Sequence, residues 1–148
     1  MSSLDPFDLD RFVQAQARNY VQALAEIRRG AKESHWMWYV FPQLAGLGSS
    51  PTARRYAIQS LDEAAAYLRH PVLGARLAEC ANALLALAGP SASDIFGWPD
   101  ELKLRSSATL FALASPPDSV FSRLLDKYFA GEPDPKTLRL LGRADGPR

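Results

Sequence analysis

Eleven prolines and nine glycines divide this chain of 148 residues into short segments. Most of them lie at the ends of apolar runs rather than inside them: Asp134-Pro135 is typical of a helix start, and Gly30 and Gly131 are typical of helix ends. The sequence Ser60-Leu61-Asp62-Glu63 is a capping box, in which a serine and a glutamate satisfy the free backbone groups of a new helix. This placement predicts many short helices rather than a few long ones.

Between these breaks the apolar residues recur at helical spacing. The predicted helices cover about residues 7–29, 60–69, 70–88, 93–97, 99–114, 118–130 and 134–141. Asp5-Pro6 is expected to cap the first of them. After Ser49 or Ser50, with Pro51 at the first helical position, the chain is expected to form one more short helix or an approach to the helix at 60–69. The pattern predicts an all-α fold: a single compact, irregular multihelical domain of seven or eight short helices, covering residues 5–141. Residues 142–148 are expected to form a C-terminal tail.

Composition and charge narrow the function classes. A formal net charge of +1 provides no electrostatic footprint for DNA, RNA or an anionic membrane, so we expect neither a nucleic-acid nor a membrane partner. The chain starts without a basic, apolar leader, and its longest apolar stretch, around Ala81–Ala88, is far shorter than the ~20 residues that span a bilayer. A cytoplasmic protein is therefore expected. The one cysteine, Cys80, cannot form an internal disulfide and is predicted to be a buried helix residue.

The stretch from His35 to Leu44 holds two of the three tryptophans and one of the two histidines. Its run of six bulky residues, 36–41, is too continuous for an amphipathic surface element. Because Pro42 disfavours helix just before it and no second run is available for strand pairing, we expect a short helix or an irregular segment. Six such side chains cannot all face the core, so some must reach a partner, a groove or a pocket. The candidate ligand-binding residues here are His35, Trp36, Trp38 and Gln43, with a purely structural role in packing as the alternative.

The turn after this stretch, Gly46-Leu47-Gly48-Ser49-Ser50-Pro51, places flexible backbone and two hydroxyl groups at a predicted helix N-terminus. Free backbone N–H groups and the helix dipole favour an anion there, which makes Gly48 and Ser49 candidate ligand-binding residues. The turn is neither a Walker A loop nor a G-x-G-x-x-G motif. An ordinary N-cap preceded by a glycine turn explains the same residues.

A third candidate cluster lies in Lys103–Phe111. On a helix, Lys103, Ser106 and Ser107 share a face, and hydroxyl groups beside a lysine suit a ligand phosphate or carboxylate. The alternative is that the hydroxyl groups bond back to the carbonyl groups four residues earlier, on an exposed face.

The candidate residues do not establish a reaction. The other histidine, His70, has no ligand-spaced partner and the carboxylates are scattered, so no metal site, cofactor or acid–base pair is predicted. Whether the protein is an enzyme stays open, as does its oligomeric state.

Over residues 5–141 the chain resembles a family of short, mostly bacterial helical proteins of unknown function, whose members often carry the automatic label "calpastatin". The resemblance rests on Asp5-Pro6-Phe7-Asp8-Leu9, Arg11-Phe12-Val13, Ala15-Gln16, His35-Trp36-Met37-Trp38, Phe41-Pro42-Gln43-Leu44, Gly46-Leu47-Gly48, Tyr67-Leu68, Ile95-Phe96-Gly97, Lys103-Leu104, Ser106-Ser107 and Thr109-Leu110-Phe111. Ala108 departs from the family, which usually has methionine there. The resemblance implies a compact all-helical fold and supplies no activity.

A more distant similarity is to the NADAR proteins, which are helical and associated with ADP-ribose chemistry. Their glutamate-bearing motif is absent, so no catalytic residue is carried over.

Two functions from different classes fit these observations. In the first, the three candidate segments converge on one concave site that binds a small anionic or nucleotide-like ligand. In the second, the protein is an interaction module without catalysis, and exposed tryptophans form a flat docking patch.

Overall fold

The computed structural model of the chain describes residues 5–143. Residues 1–4, which include most of the start used to argue against a signal peptide, and residues 144–148 of the predicted tail lie outside this range. The described part contains nine α-helices: α1 (Asp10–Arg29), α2 (Met37–Val40), α3 (Pro51–Arg55), α4 (Leu61–Arg69), α5 (Leu73–Ala86), α6 (Ala92–Phe96), α7 (Asp100–Leu113), α8 (Val120–Phe129) and α9 (Pro135–Leu140).

The all-α prediction is confirmed, and the helix count exceeds the predicted seven or eight because α2 forms a helix of its own in addition to α3. Between residues 5 and 143 the extended pairing amounts to an isolated parallel bridge, in which the Ala45 N–H donates to Ile58 O and the Ile58 N–H donates to Gln43 O, each at 2.8 Å. This bridge was not predicted, since neither segment is long enough to be read as a strand. No helix within the described range is long and apolar enough to cross a membrane.

Helix ends follow the predicted caps closely. The carboxylate of Asp134 accepts the Thr137 N–H at 3.0 Å, and the hydroxyl of Ser60 accepts the Glu63 N–H at 3.1 Å. The predicted capping box is only half formed, because the Glu63 carboxylate accepts the Gln59 N–H at 3.0 Å rather than the Ser60 N–H. Gly30 ends α1 in the left-handed region, at φ 75°, where a residue with a Cβ is strained. These bonds join residues three or four apart, so they depend little on the rest of the fold.

The start of α1 differs from the prediction. The helix begins at Asp10 rather than near residue 7, because Asp8 turns out of the helical region with φ 52°. Asp5 still serves the helix N-terminus from outside: its carboxylate accepts the N–H groups of Leu9 and Asp10 at 2.7 and 3.0 Å. The predicted cap is therefore wrong in its position: Leu9 is the N-cap residue, and Asp5-Pro6 lies one turn before the helix.

Helix α7 lies at the centre of the molecule and packs against α4, α6, α8 and α9. A helix in that place is enclosed on most sides, and Leu104 and the run 106–112 are all buried. The Phe111 ring lies between those of Tyr67 and Phe121, with centroid distances of 5.2 and 5.7 Å, and so joins α4, α7 and α8.

Helices α4 and α5 approach closely at Gly74. A Cβ added there would lie 2.1 Å from the Leu68 carbonyl oxygen, so only glycine fits. Cys80, about two turns after the start of α5, is fully buried as predicted.

Candidate functional site

Most of the aromatic stretch is core. Trp36, Met37, Tyr39, Val40 and Phe41 are buried, and Trp36 is 0% exposed. Its indole N–H donates to Glu26 Oε1 at 2.9 Å. Trp38 is the exception: it is only half-buried, because in so short a helix it projects away from its neighbours.

Glu26, fully buried on α1, holds the loop that leads into this stretch. Its carboxylate accepts the N–H groups of Glu33 and Ser34 at 2.8 and 2.9 Å, the Ser34 hydroxyl at 2.5 Å and the Trp36 indole. Burial raises the pKa of this carboxyl group, but the hydrogen bonds outweigh burial and lower the pKa to about 2. The loop before α2 is therefore held by a carboxylate that stays charged at neutral pH.

Two lysines on the edge of the stretch share one carboxylate. Asp100 Oδ2 lies 2.8 Å from Lys32 Nζ, and Asp100 Oδ1 lies 3.2 Å from Lys103 Nζ. Each ammonium group also lies over an indole ring, Lys32 Nζ at 5.1 Å from the Trp36 centroid and Lys103 Nζ at 4.8 Å from that of Trp38. The side chains of Lys32, Asp100 and Lys103 are 7%, 18% and 23% exposed, so this half-buried group carries one positive charge more than negative.

A cavity of about 390 Å³ opens beside Lys103. It lies between the segment after α2, the start of α7 and the start of α9. Its lining consists of Trp38, Gln43, Leu47, Gly48, Ser49, Ser50, Ala53, Pro99, Leu102, Lys103, Ser106, Asp134 and Lys136. The three candidate segments predicted from the sequence thus converge on one concave surface.

The structure brings together six of the nine predicted ligand-binding residues: Trp38, Gln43, Gly48, Ser49, Lys103 and Ser106. The other three, which do not line this cavity, are His35, Trp36 and Ser107. His35 is exposed, and Trp36 is sealed in the core. Ser107 is 1% exposed, and its hydroxyl is the buried side-chain polar atom that lacks a hydrogen-bond partner within residues 5–143.

At the turn before α3 the ordinary N-cap explains the local geometry. The Ser50 hydroxyl accepts the Ala53 N–H at 3.1 Å, and the five residues of α3 contribute only a small dipole. Gly48 is required by close packing, because a Cβ there would lie 2.6 Å from that of Ala53. Arg54 and Arg55, which follow the turn, line a different cavity of about 610 Å³ around Arg11.

The hydroxyl groups of α7 have a structural task that the sequence did not indicate. Ser106 and Thr109 do bond back to carbonyl oxygens four residues earlier, Leu102 O at 3.0 Å and Arg105 O at 2.8 Å. The expected exposed face is wrong, however, since both residues are buried. Both also contact Asp134. The Ser106 Oγ lies 3.2 Å from Asp134 Oδ2, and the backbone N–H of Asp134 donates to Thr109 Oγ1 at 2.9 Å.

Sequence reasoning missed four residues that shape the cavity and its charge: Lys32, Asp100, Asp134 and Lys136. Asp134 carried only a helix-cap signal. Lys32 and Asp100 are 68 positions apart, so no local pattern could pair them. Cys80 does not line the cavity, and burial raises the pKa of its thiol to about 12, which disfavours the thiolate.

Comparisons with known proteins agree with this fold. The chain is similar to the crystal structure of the conserved hypothetical protein Rv1873 from Mycobacterium tuberculosis, with 55% sequence identity and a TM-score of 0.91. That similarity covers 93% of this chain and 99% of the other. No curated protein matches the chain. Neither the calpastatin label nor the NADAR similarity finds support in these comparisons.

Residues 6–141 match a family model described as "Protein of unknown function (DUF1810)". The match includes every residue that lines the cavity beside Lys103. The chain therefore belongs to the DUF1810 family.

Proposed function

We propose that the cavity beside Lys103 binds a small anionic ligand, with nucleotide-like molecules among the candidates. The observation that carries this proposal is the surplus positive charge of the Lys32–Asp100–Lys103 group. A half-buried ammonium group has lost part of its hydration, and a shared carboxylate compensates only one of the two lysines. An anion in the cavity would compensate the other.

The lining suits a ligand with both an anionic and a flat apolar part. Lys103 and Lys136 supply positive charge, while the half-buried Trp38 and Leu102 supply apolar surface. The amide of Gln43 adds a donor and an acceptor. A volume of about 390 Å³ is within the range of small-molecule sites and holds a nucleotide-sized ligand in part.

Replacement of Lys103 by methionine tests the proposal. The change removes the charge and keeps an unbranched side chain against Trp38. We expect binding of inorganic phosphate or an adenine nucleotide, followed by ¹H–¹⁵N NMR titration, to weaken about tenfold or more, because a charge-assisted hydrogen bond is lost. In wild-type protein the shifted amide signals are expected to cluster at Gln43–Ser50 and at the start of α7.

Two control variants accompany this experiment. Arg123→Met removes one positive charge from the exposed face of α8, and His35→Ala alters a predicted site residue that does not line the cavity. Both are expected to bind as the wild type does. The absence of any titration across a panel of phosphates, sugar phosphates and nucleotides would contradict the proposal.

An interaction module is the second candidate, and one observation favours it. Trp98, next to the cavity-lining Pro99, is 78% exposed, and Leu102 is 48% exposed. An exposed tryptophan is a frequent anchor of protein interfaces. The patch expected from the sequence is wrong in one respect, since Trp36 is buried. This candidate predicts that no small anion binds in the cavity, so the titration that tests the first proposal also separates the two.

A further inference from the structure

Asp134 brings a carboxylate into a cavity whose other charged groups are lysines. One of its oxygens, Oδ2, is fully engaged: it accepts the Thr137 N–H at 3.0 Å and the Thr137 hydroxyl at 2.6 Å, and lies 3.2 Å from the Ser106 hydroxyl. The backbone N–H of Asp134 is held by Thr109 at 2.9 Å. The carboxylate is thus fixed in orientation as well as in position.

The second oxygen, Oδ1, accepts no hydrogen bond from any residue in the range 5–143. Oδ1 is not fully buried, because the one fully buried side-chain polar atom without a partner in that range is the Ser107 hydroxyl. Asp134 also forms no ion pair with a described residue, whereas Lys103 is already paired with Asp100. Asp134, which lines the cavity together with Lys103 and Lys136, therefore has one accessible carboxylate oxygen that accepts no hydrogen bond from the described residues.

From this geometry, and resting on the proposed anion site, we infer that Asp134 selects anions that also carry a hydrogen-bond donor, such as a hydroxyl or ammonium group beside the phosphate or carboxylate. The anionic group would meet Lys103 or Lys136, and the donor would meet Asp134 Oδ1. Ser106 lies one helical turn after Lys103 on α7 and contacts Asp134 at the start of α9, so Ser106 lies between the positive and the negative group.

The physical basis of the selection is repulsion as much as attraction. An anion without a donor would bring its charge near the Asp134 carboxylate and leave Oδ1 without a partner, and both effects weaken binding. A hydroxyl group supplies the missing hydrogen bond to Oδ1, and an ammonium group also supplies a positive charge that offsets the repulsion. A hydrogen bond to a charged acceptor is strong enough to change affinity by about tenfold or more.

Matched ligands test the inference. Glycerol 3-phosphate carries hydroxyl groups, phosphoethanolamine carries an ammonium group, and propyl phosphate carries neither. In ¹H–¹⁵N NMR titrations of the wild-type protein we expect at least one of the first two to bind about tenfold or more tightly than propyl phosphate. Which of the two binds more tightly identifies the donor as hydroxyl or ammonium.

The variant Asp134→Asn completes the test. Asparagine is a good helix N-cap, so its amide oxygen can replace Oδ2 while its NH₂ group replaces the free acceptor Oδ1 by a donor. The preference for the donor-bearing ligands is expected to disappear, while Asp126→Asn, an exposed change on α8, is expected to retain it.

Each outcome separates the two proposals. Equal affinity of the wild type for all three ligands, or a preference that survives in Asp134→Asn, overturns the role of Asp134 and leaves the anion site standing. If none of the three ligands shifts the amide signals around the cavity, the anion site itself is contradicted and the selection falls with it. The comparison of the three ligands in wild-type protein decides the matter even where Asp134→Asn disturbs α9.

Discussion

The buried side chain of Glu26 holds the loop before α2 in place through hydrogen bonds. Replacement by alanine would leave the N–H groups of Glu33, Ser34 and the Trp36 indole without their acceptor, which costs about 3 kcal/mol or more. Glu26→Gln keeps one oxygen as an acceptor and is expected to cost less. Urea unfolding of the two variants at pH 7 measures the difference.

The same residue predicts a pH dependence. Its pKa in the folded protein, about 2, is below the ordinary value of 4.5, so the unfolded state binds a proton first. The stabilisation from Glu26 is fully present above pH 4.5 and is lost as the pH falls toward 2. Wild-type protein should therefore lose more free energy of unfolding between pH 5 and pH 3 than Glu26→Gln. The variant Glu33→Gln, whose carboxylate is exposed, should follow the wild type; equal slopes for all three proteins would contradict the prediction.

Helix α7 holds α9 in place through hydroxyl groups rather than apolar contacts alone. Thr109→Val has nearly the same shape but removes the acceptor of the Asp134 N–H, a loss of about 1–3 kcal/mol if no water replaces it. Because the lost bond joins only these two elements, we expect hydrogen exchange of the α9 amides to accelerate more than that of α8.

Ser115→Ala is the matched control for this element. Its hydroxyl also bonds back to a carbonyl oxygen four residues earlier, Phe111 O at 2.7 Å, but makes no contact with α9 that would hold it in place. Exchange in α9 should be unchanged in Ser115→Ala. Uniform acceleration across all helices in Thr109→Val would show that the bond supports the whole fold instead.

At the scale of the whole molecule, seven of the nine helices in the described range contribute side chains to one hydrophobic cluster, and α3 and α9 do not. Phe111, 0% exposed, contacts rings from α4 and α8, so Phe111→Ala is expected to destabilise the protein by about 3–5 kcal/mol. Unfolding should stay cooperative, with coincident transitions by circular dichroism and tryptophan fluorescence. Val21→Ala, at an 82% exposed position, should change stability by less than about 0.5 kcal/mol. Separate transitions in Phe111→Ala would indicate that the cluster is not one unit.

The fold class and most helix ends could be predicted from the sequence because the signals that set them are local. The Ser60 cap, the Asp134 cap and the Gly30 stop each act over three to five residues and need no partner elsewhere. The early predicted start of α1 shows the limit of such signals, since a turn at Asp8 separates the cap from the helix.

The site depended on contacts that no local pattern contains. The sequence by itself determined that Trp38, Lys103 and their neighbours were chemically suited to a ligand, because residue types and helical spacing are written in it. Only the tertiary structure decided that Trp36 is core while Trp38 faces a cavity. Only it paired Lys32 with Asp100 across 68 positions and brought Asp134 against Ser106 across 28. The physical reason is that burial and charge pairing are properties of the packed elements, whereas caps and turns are properties of adjacent residues.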